Sequence, residues 1–240
     1  VNNFEKAFVI SDIHGEVTRL TNLMQNWNVD EMLLIIVGDL IDRGENSLKV
    51  VQKMMDLKAE FGDQVIILKG NHEDMLLKYL SEPLINNNAL RYFRNGGDTT
   101  AIEFSGDSNI MEASYEEIAR KMGTRRAEVD FLQGLSLYYE FGDVLFIHAG
   151  IDPALEDWRK TNPYQMVWIR NIWNQENKTD KIIVFGHTPT QELYEDKRNE
   201  IWISPCRSYI NIDGGSVYGG QLNGMVINNS GEILHTYKAI

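Results

Sequence analysis

Cysteine is nearly absent: Cys206 is the only one. An intramolecular disulfide is therefore excluded, and any metal site must be built from oxygen and nitrogen ligands, which fits a cytoplasmic protein. Long apolar runs are missing too. Nowhere do about eighteen apolar residues follow one another, so no membrane-spanning helix is expected. The first residues, Val1-Asn2-Asn3-Phe4-Glu5-Lys6, lack a basic segment followed by an apolar one, so they do not read as a signal peptide. Positive charge is in short supply. The 23 Lys and Arg residues face 35 Asp and Glu, a formal net charge of −12. That balance argues against a nucleic-acid polymer as partner, because its phosphates would be repelled. A small phosphorylated substrate stays open, since a few cations and metal ions can dominate one pocket.

What is present is a good supply of core. Of 240 residues, 43% are hydrophobic, a normal share for a globular protein. Short apolar runs recur at Ala7 to Ile10, Met32 to Val37 and Val65 to Leu68. The first two each pass through a polar loop into helical spacing: Val17, Leu20, Leu23 and Trp27, then Leu48, Val51, Met54 and Phe61 behind Ser47 as a cap. This β-loop-α repetition predicts a sheet with a parallel portion and helices packed on it. Pro83 ends the next helix. Residues 86–134 are mostly polar and helical, with Ser114 to Glu117 as a capping box and Gly123 as a stop. They are expected to form a helical cap on a single domain spanning 1–240. After Gly134 strands return. Gly142-Asp143 predicts a hairpin between Leu137 to Phe141 and Val144 to Ile147. Ile182 to Phe185 is a further strand, and three more, near 209–212, 221–227 and 232–237, read as antiparallel. The expected fold class is α/β, two packed mixed β-sheets flanked by helices.

Five apolar runs end in chemically capable residues: Asp12 with His14, Asp39 with Asp42, Asn71 with His72, His148, and His187. Sites in open α/β sheets gather at the carboxyl ends of strands. Four of the five histidines occupy these ends; only His235 does not. Each residue alone has an ordinary explanation as a helix cap or a hydrogen-bonded histidine, but five in series point to one site. A thiolate-free set of His, Asp and Asn suits a divalent ion such as Mn²⁺, Fe²⁺ or Zn²⁺. The set is larger than one ion needs and would serve two, about 3.5–4 Å apart, sharing one carboxylate. Spacing does not say whether Asp39 or Asp42 is the shared one.

The series Asp12-Ile13-His14-Gly15, Gly38-Asp39-Leu40-Ile41-Asp42-Arg43-Gly44, Gly70-Asn71-His72-Glu73, His148-Ala149-Gly150 and Gly186-His187-Thr188 closely resembles the calcineurin-like metallophosphoesterases. It is most similar to their phosphoprotein phosphatase branch, which includes the phage lambda phosphatase and bacterial serine/threonine phosphatases. The resemblance implies roles. Asp12 and His14 would bind one metal, Asp39 would bridge both, and Asn71, His148 and His187 would hold the second. Asp42 would orient His72, the general acid. Arg43 would bind substrate phosphate, and so would Arg170 in Val167-Trp168-Ile169-Arg170, which on pattern alone reads equally well as a helix-surface arginine. The implied cofactors are two divalent metal ions, Mn²⁺ first, with Fe or Zn as substitutes. The implied activity is hydrolysis of phosphomonoesters by a hydroxide that the two metals activate, on serine/threonine phosphoproteins or another small phosphoester. The alternative is hydrolysis of diadenosine tetraphosphate or another nucleotide at the same site. Adenine would need an aromatic or apolar slot, so Trp168 or Tyr218 on the pocket wall would favour nucleotides.

Two positions depart from the family pattern. Ser11 stands where glycine is usual, and Lys69 stands where the branch carries an arginine. Lysine keeps the charge but not the bidentate fork. The glycine-rich stretch Asp213 to Gly220 reads as a turn between strands, although the resemblance would set it at the border of the site with Tyr218 near substrate. Asn95-Gly96-Gly97-Asp98 reads as a tight turn without a further role.

Overall fold

Side chains of the first strand part to two sides: Ala7 and Val9 enter one buried cluster, Phe8 and Ile10 another. This period of two marks a strand buried on both faces. The structure, a computed structural model, describes residues 4–240; residues 1–3, the beginning of the stretch read as lacking a signal peptide, lie outside the described residues. The strands in chain order are β1 (Lys6–Ile10), β2 (Met32–Ile36), β3 (Val65–Ile67), β4 (Tyr138–Phe141), β5 (Val144–Ile147), β6 (Ile182–Phe185), β7 (Trp202–Ile203), β8 (Tyr209–Asn211), β9 (Leu222–Asn228) and β10 (Ile233–Ala239). They form two five-stranded sheets, ordered β10-β9-β1-β2-β3 and β4-β5-β6-β8-β7. Both are mixed. β1, β2 and β3 run parallel, with β9 antiparallel to β1. β5, β6 and β8 run parallel, with β4 and β7 antiparallel at the edges.

Ala7, Val9 and Ile35 of the first sheet meet Phe146, Val184 and Ile210 of the second in one dry layer. The opposite faces are covered by helices: α1 (Val17–Met24), α2 (Ser47–Phe61), α3 (Asn71–Ser81), α4 (Asn88–Arg94), α5 (Asp98–Ser105), α6 (Tyr115–Met122) and α7 (Arg126–Gln133) on the first sheet's side, and the short α8 (Pro163–Trp168) on the second's. The segment from α4 to α7 puts Tyr92, Phe104, Ile118 and Met122 into the same buried cluster as Phe8 and Ile36. Among the described residues, no helix is long and apolar enough to cross a membrane.

The structure corrects two expectations. Of the three late strands, only β9 and β10 are antiparallel to their neighbours in the first sheet. Tyr209–Asn211 lies in the second sheet, parallel to β6 and antiparallel to the two-residue β7, which the sequence pattern did not suggest. A three-residue strand buried throughout has no alternation from which its partners could be read. Ser47 is not the cap of α2 but its first residue. The N–H groups of Ser47 and Leu48 both donate to the Glu103 carboxylate on α5, at 3.0 Å each. With that end of the helix satisfied from a distance, Ser47 Oγ is left to accept from Asp42 N–H at 3.0 Å.

Candidate metal centre and active site

The loops after β1 and β2 lock to each other through the backbone. Asp12 N–H donates to Gly38 O at 3.2 Å, His14 N–H to Asp39 O at 3.0 Å and Gly15 N–H to Leu40 O at 2.9 Å. The backbone at the site takes unusual angles. Asp12, His14, Asp39, Asp42, Arg43 and His187 all have φ between 46° and 72°, a region that side chains rarely enter and that costs of order 1–3 kcal/mol per residue. Gly38 (φ 84°) admits no side chain, since a Cβ there would lie 2.7 Å from His148 Nδ1 and 2.8 Å from Gly70 Cα. Glu73 ties the second loop to α3. Its carboxylate accepts from Leu40 N–H (2.8 Å), Gly70 N–H (2.8 Å) and Asp39 N–H (3.1 Å), while burial pushes its pKa up to about 7.

The second sheet completes the cluster. His148, at the end of β5, donates from Nδ1 to Val37 O at 2.8 Å. Its Nε2 therefore points a lone pair at Asn71 Oδ1, 2.9 Å away, and Asp39 Oδ2, 3.3 Å away. His187, beyond β6, brings Nδ1 to 2.7 Å from the same Asn71 Oδ1. His14 Nδ1 donates to Ile41 O at 2.9 Å, which leaves Nε2 facing Asp39 Oδ2 at 3.6 Å. Two sets of ligand atoms lie within 4.8 Å of one another: His14, Asp39 and His72, and Asp39, His148 and His187. Asp39 is common to both. Asp12 is in neither; its carboxylate accepts from His187 N–H at 3.1 Å and from Ser11 Oγ.

This donor set fits divalent cations. Acceptor atoms of His148, Asn71 and Asp39 face each other, so a proton or a cation must lie between them. Burial disfavours a charged His148, yet the Asp39 carboxylate overrides it and lifts the pKa to about 10. A cation satisfies the same demand. Burial, and then the neighbouring His72 ring, hold His14 well below the usual imidazole range; burial, and then His148, do the same to His187. Neutral imidazoles are the form that ligates metal.

His72 and Asp42 are fully buried. His72 Nδ1 donates to Asp42 Oδ2 at 2.7 Å, which leaves Nε2 without a hydrogen-bond partner. Asp42 Oδ1 accepts from Tyr92 Oη at 2.9 Å and Thr100 Oγ1 at 2.7 Å. Tyr92, Thr100, Ser47 and Glu73 were missing from the expected site. The signal for two of them was the turn at Asn95 to Asp98, to which the sequence reading assigned no role: it joins Tyr92 to Thr100, and its Gly96 O accepts from Arg43 N–H at 2.9 Å. Thr100→Val keeps the shape and deletes the hydroxyl. It is expected to destabilise the protein by about 1–3 kcal/mol, measured by urea unfolding. An unchanged midpoint would show that Asp42 does not depend on Thr100.

These groups open on a cavity of about 270 Å³ whose walls include Arg43, Arg170, Trp168 and Tyr218. Arg43 Nη1 lies 2.8 Å from His14 Nε2. Arg170, two residues beyond α8, turns inward and donates from Nη1 to Thr188 Oγ1 at 2.7 Å. Lys69 does not line the cavity; its Nζ donates to Gln133 O at 3.1 Å, at the end of α7. The Asp213–Gly220 stretch is more than a turn. Asp213, Ser216 and Tyr218 line the cavity, and Arg19 of α1 pins the loop by donating to Ser216 O at 2.7 Å and Ser216 Oγ at 2.8 Å. Burial raises the Asp213 pKa to about 6.

A family model for calcineurin-like phosphoesterases matches residues 6–217. A bis(5'-nucleosyl)-tetraphosphatase (asymmetrical) of Anoxybacillus flavithermus is 27% identical over 241 residues, covering 90% of this chain and 88% of its own. Among solved structures, a candidate diadenosine tetraphosphatase superposes with a TM-score of 0.67 at 18% identity, over 100% of this chain and 96% of that one. A serine/threonine phosphatase from Saccharomyces cerevisiae superposes with 0.63 at 14% identity, over 100% and 81%. At such identities the structural likeness speaks for the fold.

Proposed function

We propose, from the premise that this chain belongs to the calcineurin-like phosphoesterase family, that it hydrolyses dinucleoside polyphosphates of the diadenosine tetraphosphate kind. The carrying observation is that Trp168 and Tyr218 both line the cavity that holds the His, Asp and Asn cluster. Aromatic faces beside phosphate ligands suit a base attached to the phosphate. The tetraphosphatase relative supports the same choice. The nucleotide alternative thus moves ahead of the serine/threonine phosphoprotein reading that the motifs alone put first. The presence of a single cysteine suits a cytoplasmic setting.

In this reading Asp12, His14 and Asp39 would hold one divalent ion, and Asp39, Asn71, His148 and His187 the other, with Mn²⁺ the first metal to supply. Bound ions would polarise water and the phosphoryl oxygens. Arg43 and Arg170 would bind those oxygens through charge-assisted hydrogen bonds. Water adds to one phosphorus of the chain, the P–O bond of the anhydride breaks, and a nucleoside polyphosphate leaves. His72 would offer a proton from Nε2, its other nitrogen held by Asp42, to a leaving oxygen that needs one, as an alkoxide does; a departing phosphate chain is already a stable anion. The proposed dyad is a positioning device as much as an acid, because Tyr92 and Thr100 leave the carboxylate no other orientation.

The test is turnover with Mn²⁺ on diadenosine tetraphosphate, a phosphothreonine peptide and p-nitrophenyl phosphate, each with an EDTA control. Faster, EDTA-sensitive hydrolysis of the dinucleotide is expected. Preference for the peptide would return the protein to the phosphoprotein phosphatases, and turnover unaffected by EDTA would overturn the metal-dependent reading.

A further inference from the structure

Beyond the cavity, behind Trp168, lies a cluster that the metal centre does not use. Trp168 ends α8 with its ring edge-on to His187, centroids 5.9 Å apart. Tyr164, one turn earlier, stacks on it at 5.9 Å and 24°. The Arg91 guanidinium of α4 sits 4.1 Å over the Trp168 ring and 5.4 Å over Tyr164, and donates to Tyr164 Oη at 2.7 Å. No carboxylate lies within ion-pair range of Arg91 among the described residues, in a chain whose net charge is −12. Lys78, which also lies over Tyr164, is by contrast paired with Asp74 at 2.7 Å. The Trp168 indole N–H is buried without an acceptor. An uncompensated arginine and an orphaned donor, both on an aromatic shelf within 6 Å of a site ring, are what a ligand with a flat ring and an anionic group would satisfy.

The other aromatic wall is less suited. Tyr218 is 57% exposed; like Trp168 it carries an arginine, Arg43 at 5.1 Å, but that arginine is assigned to the reacting phosphate, whereas Arg91 over Trp168 has no role at the metal cluster. We propose that Trp168, Tyr164 and Arg91 form a nucleotide subsite beside the metal centre. Trp168 stacks the purine of the nucleoside attached to the reacting phosphoryl, and Arg91, packed on the same ring, donates to that nucleoside's acceptor atoms. This assignment rests on the nucleotide reading of the site and names which wall carries it.

Inhibition of p-nitrophenyl phosphate turnover by AMP, phosphotyrosine and inorganic phosphate tests it, in the parent and in Trp168→Ala, Trp168→Phe and Arg91→Gln. AMP is expected to bind about tenfold more tightly than inorganic phosphate in the parent, a typical gain for one stacked base. Trp168→Ala and Arg91→Gln should each remove most of that gain, and Trp168→Phe should keep it. Arg91→Gln is a partly exposed change that decides the matter even if Trp168→Ala fails to fold. A binding readout independent of turnover is the tryptophan fluorescence quenched by AMP, which should vanish in Trp168→Phe. Equal affinity for AMP and phosphate in the parent would overturn the subsite. So would an AMP advantage that survives both Trp168→Ala and Arg91→Gln, or a loss confined to phosphotyrosine. A parent that leaves diadenosine tetraphosphate intact while showing the variant-sensitive AMP advantage would sink the proposed reaction and support the subsite.

Discussion

His72→Asn is expected to slow hydrolysis of an alkyl phosphomonoester by about 10²–10⁴-fold, the usual contribution of a positioned general acid. The same substitution is expected to slow p-nitrophenyl phosphate far less, and diadenosine tetraphosphate hardly more than that. The order follows from the leaving groups. An alkoxide must be protonated as it departs, whereas a nitrophenolate or a phosphate chain leaves as a stable anion. Asparagine replaces a ring whose Nδ1 is fixed by Asp42 and whose Nε2 is buried without a partner, so it removes the proton donor while leaving a polar side chain at the position. The measurement is kcat on the three substrates with Mn²⁺ in excess, alongside metal content to show that both ions stay bound. Equal slowing on all three would mean that His72 acts as a ligand or a packing group rather than as an acid. The proximity of its ring to His14, 4.7 Å between centroids, makes that contrast worth measuring.

Asp39→Asn is expected to lower divalent-ion affinity by more than about 100-fold, beyond what removal of an outer-shell partner costs, and to abolish turnover. Asp39 is the one carboxylate in both groups of converging ligand atoms. Its Oδ1 also accepts from His72 N–H at 3.0 Å, a bond the asparagine oxygen can still accept, so the loss reports charge and ligation rather than collapse of the loop. Asp12→Asn supplies the contrast. Its carboxylate faces His187 N–H outside both groups, and the variant is expected to retain one ion and lose the other. Elemental analysis after dialysis against Mn²⁺ separates the cases. Two ions still bound in Asp39→Asn would sink its role as the shared ligand.

Much of this site could be read along the chain because it is built at strand ends. An apolar run followed by Asp-x-His or Gly-Asn-His-Glu says locally both where a strand stops and what it presents there. The parallel order of β1, β2 and β3, the hairpin of β4 and β5, and the gathering of Asp12, Asp39, Asn71, His148 and His187 at one edge all follow from such local patterns. The carboxyl ends of parallel strands necessarily lie together.

Contacts chosen by packing across the fold were not readable. Thr100 meets Asp42 across 58 residues and Arg19 meets Ser216 across 197. Spacing names neither partner: the Asn95–Asp98 turn flags the segment of Thr100 but not Asp42, and a threonine or arginine on a helix looks the same whether it faces solvent or a distant loop. Lys69 was read by its place before Gly-Asn-His-Glu, but its side chain donates to the Gln133 carbonyl at the end of α7, away from the cavity. By itself, then, the sequence determined the class of chemistry, since the ligand types and their order are properties of the chain. The tertiary structure decided which aromatic faces and cations border that chemistry. Those belong to α4, α8 and the Asp213–Gly220 loop, segments that become neighbours of the candidate metal centre only after the two sheets have packed.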